Sequence, residues 1–260
     1  MIESNTIYFV GSGPGDPELI TIKAKKLLEN ADVIVYSGSL LNPKLLEYAK
    51  KEAVLHDAAL LDRNRIYEIL RDSTKQGKLA IRFHDGDPAL FSTIREQIDR
   101  LFLDGINCKV VPGITAILGA ASSLNLELTL PGITQTLIIT RAELRTPVPK
   151  RESISSLASH GSTMAFYLSV HLIRNIVEQL LKGETYHTST PAAVVYRATW
   201  KDEKIIVGTL GNIVDKVKEA KITKTAIIIV GNVINPRSYD FSKVYDPQFT
   251  HGYRKAGMSK

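Results

Sequence analysis

Short β-rich runs alternate with stretches of helical periodicity from Thr6 to Leu124, and no other feature of the chain narrows its fold as much. Residues 7–10, 33–36, 79–83 and 109–111 are short runs that, apart from Arg82 and Lys109, consist of apolar side chains, many of them β-branched or aromatic. Residues 21–30, 66–76, 89–104 and 115–124 instead repeat apolar positions at helical spacing. In 89–104 the stripe consists of Leu90, Ile94, Ile98, Leu101 and Phe102, with Arg95, Glu96 and Asp99 opposite and Gly105 as the C-cap. Alternation of this kind implies an α/β fold with parallel strands covered by helices. Such sheets take ligands beyond the carboxyl ends of their strands.

The texture changes near Leu130-Pro131-Gly132, where a boundary is expected. Strands are predicted over 136–140, 163–168, 192–197, 204–207 and 226–230, with helices over 172–182 and near 210–220. Residues 198–203, between two strands, have the character of a hairpin connection, so this half is expected to contain a mixed sheet. This gives a first domain over 1–130, a second over 131–240 and a surface tail over 241–260; polar, patternless sequence sets in from about Pro236.

The first strand runs into Gly11-Ser12-Gly13-Pro14-Gly15-Asp16-Pro17. Glycine lets backbone approach a ligand closely. The run fits neither common nucleotide template. A dinucleotide fingerprint needs a third glycine where Asp16 stands, and Pro14 removes an amide that a phosphate would use. A P-loop needs Gly-Lys-Ser/Thr, and the first lysine is Lys23. Ser37-Gly38-Ser39-Leu40 follows the second strand, where an NAD-binding chain would carry an acidic residue. Two further small-residue loops, His84-Asp85-Gly86-Asp87-Pro88 and Pro112-Gly113-Ile114-Thr115-Ala116, fall after later strands of the same half. Each dipeptide alone is an ordinary turn former; their combination on one sheet edge points to a site for a flat ligand held by backbone.

Several classes of chemistry lose support. The six histidines are isolated, no Cys/His metal spacing occurs, and no Gly-x-Ser-x-Gly elbow exists. The lone Cys108 permits no internal disulfide, agrees with a reducing cytoplasm and reads as an inert thiol. The apolar runs are too short to span a bilayer, which takes about 20 residues. Lys plus Arg exceed Asp plus Glu, 33 to 27, but the excess is diffuse and no nucleic-acid stripe is evident. A diffuse excess suits a solvated surface or the attraction of a small polyanion.

Gly11 to Thr21, Asp85 to Pro88 and Pro112 to Ala116, in that order and spacing, resemble the successive signatures of the tetrapyrrole methylase family. The resemblance runs from about Thr6 to Val230. The stretches 134–149, 196–203 and 249–254 are similar to the branch that methylates C11 of a corrin precursor. Sibling enzymes acting on another ring carbon, on uroporphyrinogen III or on diphthine are the alternatives.

The resemblance implies two α/β domains with a cofactor cleft between them, the first on the tetrapyrrole side and the second completing the cofactor site. It also implies S-adenosylmethionine as methyl donor, a tetrapyrrole substrate and a homodimer. The residues it implies for the donor are Pro14, Asp85, Gly86, Asp87, Leu90, Thr115, Ala116, Leu168, Ala198 and Ala226. For the substrate it implies Asp16, Ser39, Arg141 and Arg145, arginine being suited to the acetate and propionate groups of a tetrapyrrole. Asp85 departs from the glycine or threonine usual before Gly-Asp in that family, and leucines stand at 90 and 168 where relatives often carry an aromatic residue or methionine.

Overall fold

The computed structural model describes residues 3–144 and 146–257. Ten strands, β1 (Thr6–Gly11), β2 (Val33–Tyr36), β3 (Val54–Asp57), β4 (Ala80–His84), β5 (Asn107–Val111), β6 (Leu137–Arg141), β7 (Thr163–Tyr167), β8 (Pro191–Tyr196), β9 (Lys204–Thr209) and β10 (Ala226–Val230), form two five-stranded sheets. The chain divides into two compact units, Met1–Ser123 with Arg197–Lys204, and Leu124–Tyr196 with Ile205–Lys260. The return of 197–204 to the first unit has no counterpart in the sequence pattern.

The first unit holds an all-parallel sheet in the order β3-β2-β4-β1-β5. Helices α1 (Ile22–Asn30), α2 (Arg63–Lys75), α3 (Ile94–Leu103) and α4 (Ala116–Ser123) accompany it. Because both sheet faces are covered, β1 is apolar at every position from Ile7 to Val10. Tyr8 and Val10 pack with Ala24, Leu27 and Leu28 of α1, while Ile7 and Phe9 pack with Ile66, Ile69 and Leu70 of α2 and Leu101 of α3. Thr21 caps α1 by accepting from Ala24 N, and Asp62 caps α2 by accepting from Asn64 N and Arg65 N. Both helices start where such a side chain gives a free N-terminal amide its acceptor.

Two expectations shift here. The helix expected over 89–104 begins only at Ile94, because Asp87 and Pro88 set up a turn and Phe91 and Thr93 adopt positive φ of 57° and 51°. Leu90 therefore lies in that turn, and Phe102 is 73% exposed, off the buried stripe. Edge strand β3 escaped the sequence reading, since His56-Asp57 break its apolar run and Val54 and Leu55 are exposed. The loop at Asp85 thus follows the fourth strand in chain order, where the predicted runs at 7–10, 33–36 and 79–83 would make it the third.

The second unit's sheet has the order β6-β7-β10-β8-β9, with β6 parallel to β7 and β10 antiparallel to both β7 and β8. It is mixed, as the hairpin-like connection implies. Helices α5 (Ile154–Ala158), α6 (Ile173–Leu180) and α7 (Ile213–Glu219) contribute Ile154, Ile173, Ile176, Leu180, Ile213 and Val217 to a core with Met164, Phe166, Val194 and Ile228. The serine-rich α5 gave no helical signal in the sequence. Residues 241–257 lie on the surface, but they carry a 3-10 turn at Lys243–Tyr245 and a bridge between His251 and Arg254.

Candidate active site

Loops from β1, β4 and β5 meet at the carboxyl edge of the parallel sheet and touch backbone to backbone. Ser12 N donates to His84 O at 2.8 Å, and Gly13 and Gly86 exchange hydrogen bonds of 3.2 and 3.0 Å. A Cβ placed on Gly11 would meet Gly86 O at 2.6 Å and Gly113 N at 2.7 Å. Gly11 is therefore the contact point of all three loops, and a side chain there would drive them apart. Gly86 has φ +59°, and a Cβ on it would reach nothing nearer than Thr115 Cα and Ala116 N, both at 3.8 Å. The structure thus brings Asp85, Gly86 and Asp87 beside Thr115 and Ala116, two stretches well separated in sequence.

Asp87 organises this edge. One carboxylate oxygen accepts from Ala89 N at 2.7 Å and bends the chain after β4; the other accepts from Gly113 N at 2.9 Å and ties that loop to the next. Leu90 is part of the same turn, its amide donating to Asp87 O at 3.2 Å.

A fourth segment, 197–204, completes the group. Thr199 Oγ1 accepts from Asp16 N at 2.9 Å, and Trp200 Nε1 donates to Pro14 O at 3.2 Å. A Cβ on Gly119 of α4 would meet Pro14 Cβ at 2.7 Å, so Pro14 is packed from that side as well. Ala198 is buried, held between Arg197 and Thr199, which have φ of 47° and 69°. Asp16 also caps the short turn Pro17–Leu19 by accepting from Glu18 N. Ser39 lies exposed in the turn after β2.

Charge is unusual along β4. Arg82 is buried and donates to the carbonyls of Val35 and Phe83 at 3.1 and 3.3 Å. Burial lowers its pKa to about 10. Burial, with the positive charge of Arg82 as a second cause, pushes His84 down to about 3, so this imidazole is neutral at pH 7. Burial raises the Asp85 carboxyl, against an opposing pull from Arg82. The thiol of Cys108 on β5 is raised to about 11 by burial, consistent with an inert cysteine.

The remaining candidates lie on the second unit, at one end of its sheet. Arg141 closes β6 and pairs in register with Tyr167, the last residue of β7. Leu168 follows with φ 54° and is 58% exposed. Ala226 opens β10 opposite Tyr196, and because β10 runs antiparallel to β7 and β8 it shares this end. The Arg141 guanidinium donates to the carbonyls of Thr146 and Pro147, both at 3.0 Å, and holds the following loop. Arg145 lies outside the described residues.

Sequence reasoning missed Thr199, Trp200 and Glu203 as builders of this site. The stretch itself, 196–203, stood out by its resemblance and as a loop at a strand end, and it holds a lone tryptophan; what the sequence did not give was the contact of these three side chains with Asp16, Pro14 and Ser123. Among the described residues no group of three His, Cys, Asp or Glu side chains comes together as a metal site, and no helix is long and apolar enough to cross a membrane.

With this geometry in place, the family model for tetrapyrrole (corrin/porphyrin) methylases matches residues 6–214. The chain belongs to the tetrapyrrole methylase family. It is 50% identical over 256 residues to the cobalt-precorrin-4 C(11)-methyltransferase of Methanocaldococcus jannaschii, covering 98% of each chain. Its fold superimposes on the X-ray structure of a cobalt precorrin-4 methyltransferase with a TM-score of 0.87 and 38% identity, covering 91% of this chain and all of the other. A uroporphyrin-III C-methyl transferase from Thermus thermophilus, solved in complex with S-adenosylhomocysteine, shares the fold with a TM-score of 0.70 at 24% identity, over 90% and 96% of the two chains. The fold expected from strand–helix alternation and from the family signatures is the one present.

Proposed function

We propose that this chain transfers a methyl group from S-adenosylmethionine to C11 of cobalt-precorrin-4, a step in building the corrin ring of cobalamin. The observation that carries the reading is the glycine-locked edge formed by Gly11, Gly86 and Gly113, set in a chain half identical to a C11-methyltransferase over nearly its full length. S-adenosylmethionine, when bound, supplies a methyl group on a sulfonium whose thioether is a ready leaving group, so the protein needs no strong base.

What the protein must supply is position, an effect worth roughly 7–11 kcal/mol when reacting groups are held in line. The residues fit a flat, cationic donor. The loops at Pro14, Asp85–Asp87 and Thr115–Ala116 present small side chains and backbone, which suit an adenosine; Leu90 adds apolar surface, and Ala198 is assigned to the donor as well. Asp85 is a partly buried carboxyl whose raised pKa would be drawn back down by a nearby cation. On the second unit, Leu168 and Ala226 are assigned to the donor and Arg141 to the substrate carboxylates, with Asp16, Ser39 and Arg145 as further substrate contacts. Arginine is the residue for that task because its planar fork matches a carboxylate.

A cytoplasmic setting fits the unpaired Cys108, and a homodimer is the assembly implied by the family signatures. Titration calorimetry tests the donor assignment: S-adenosylhomocysteine is expected to bind with micromolar affinity and NADH not at all. Transfer of labelled methyl to uroporphyrinogen III in preference to cobalt-precorrin-4 would reject the substrate.

A further inference from the structure

The segment joining β8 to β9 is fastened to the first unit by more bonds than a connecting loop needs. Glu203 Oε2 accepts from Thr199 N at 2.6 Å and from Ser123 Oγ, at the end of α4, at 2.5 Å. Hydrogen bonds to a carboxylate are roughly twice as strong as neutral ones. Thr199 passes the connection on, its hydroxyl accepting from Asp16 N. The indole of Trp200 lies against Gly15, where any side chain would collide with it, and its Nε1 donates to Pro14 O. The guanidinium of Arg197 sits over the same indole, 4.8 Å from the ring centroid, and bonds Asp202 at 2.7 Å. The left-handed backbone at Arg197 and Thr199 is strain that these bonds hold in place.

From this arrangement we infer that Glu203, Thr199 and Trp200 are positioning residues for the methyl donor: a latch that fixes the Pro14–Asp16 turn and Ala198 while touching neither substrate. The inference rests on the donor site proposed above and adds residues that the site's own contacts do not include. Pro14 is held from two directions, by the Trp200 indole through its carbonyl and by α4 at Gly119. Glu203 anchors both partners at once, since it bonds α4 through Ser123 and the Trp200 segment through Thr199. Release of Glu203 should therefore loosen the donor turn selectively. The glycine lock at Gly11, Gly86 and Gly113 is independent of it.

Trp200 is the only tryptophan, so its fluorescence reports the latch directly. In the ligand-free protein, Glu203→Ala is expected to raise acrylamide quenching of Trp200, and Glu203→Gln, which keeps an acceptor oxygen, to restore most of the protection. Glu203→Ala and Trp200→Phe should each weaken S-adenosylhomocysteine binding about tenfold, the loss expected for one charge-assisted or buried hydrogen bond. For Trp200→Phe, which frees the Pro14 carbonyl and leaves the bond from Asp16 N to Thr199 in place, the KM for the tetrapyrrole should stay within about twofold, because uniform misfolding would raise both; Glu203→Ala, which also loosens Asp16, should raise that KM by less than it weakens donor binding. Equal loss of affinity for donor and tetrapyrrole, or unchanged donor affinity with Trp200 newly accessible, would overturn the latch. Wild-type protein that binds no S-adenosylhomocysteine would instead overturn the donor site, and the quenching of Trp200 would still decide whether Glu203 holds the loop.

Discussion

Replacing Gly11 with alanine adds a single methyl group and should cost more than most substitutions in the chain. The new Cβ would lie 2.6 Å from Gly86 O, 2.7 Å from Gly113 N and 2.8 Å from Gly113 Cα. Ordinary carbon contacts sit near 3.5–4.0 Å, so each is short by about an ångström. All three partners are backbone, and no rotamer change can relieve them. Nor can either loop retreat alone, because Gly86 is bonded to Gly13 and Gly113 to the Asp87 carboxylate. Overpacking a tight site costs about 1–3 kcal/mol, and contacts with fixed backbone on two sides place this one at about 2–3 kcal/mol. For a chain of this size that is a fall in melting temperature of roughly 4–12 °C. Urea denaturation followed by Trp200 fluorescence measures the loss, and calorimetry with S-adenosylhomocysteine should show weakened binding in the same variant. Gly183→Ala is the control, since its Cβ meets nothing within 4 Å. An unfolding midpoint for Gly11→Ala equal to that of wild type would refute the claim that these loops are locked through glycine.

Asp87→Ala removes the acceptor for Ala89 N and Gly113 N and should destabilise by about 2–4 kcal/mol, with Asp87→Asn recovering part of it in the same denaturation assay. His84 gives a pH dependence of defined sign. Its folded pKa of about 3 lies below the unfolded value near 6.5, so on acidification the unfolded chain takes up a proton that the native imidazole refuses. Stability is therefore complete above about pH 6.5 and falls by up to about 1.4 kcal/mol per pH unit below it, and His84→Gln should flatten that slope in urea titrations between pH 7 and 4. The Cys108 thiol, raised to about 11, should react with a disulfide reagent at pH 7 far more slowly than a free cysteine, and Cys108→Ala should leave turnover unchanged. Arg141→Ala should raise the KM for the tetrapyrrole while leaving S-adenosylhomocysteine affinity as it was.

The parts of this fold that were legible in the sequence are those where local pattern and tertiary role coincide. Strand β1 was clear because burial on both faces demands an unbroken apolar run, and α1 and α2 because their apolar residues recur at helical spacing; the polar first turn of α2, Arg63 to Arg65 behind the Asp62 cap, carries no such stripe and was left out. Where long-range contacts override pattern, the sequence misled. The stretch from Ala89 to Thr93 has helical spacing, yet the Asp87 turn and two left-handed residues keep it out of α3. Strand β3 pairs at an exposed edge and needs little apolar sequence to do so. For the site, glycines 11, 86 and 113 stood out as turn formers, but their mutual contact comes only from the β4-β1-β5 strand order. The latch was the least legible element, because Glu203 and Ser123 lie 80 residues apart and nothing in the 196–203 stretch, singled out only by its resemblance, pairs it with α4.

The most direct test of the account is to incubate the protein with cobalt-precorrin-4 and S-adenosylmethionine labelled with carbon-13 at the methyl, and to locate the transferred carbon in the product by NMR. A single enriched methyl on C11 is the expected result. Enrichment at any other ring carbon, or a product without label, would contradict it.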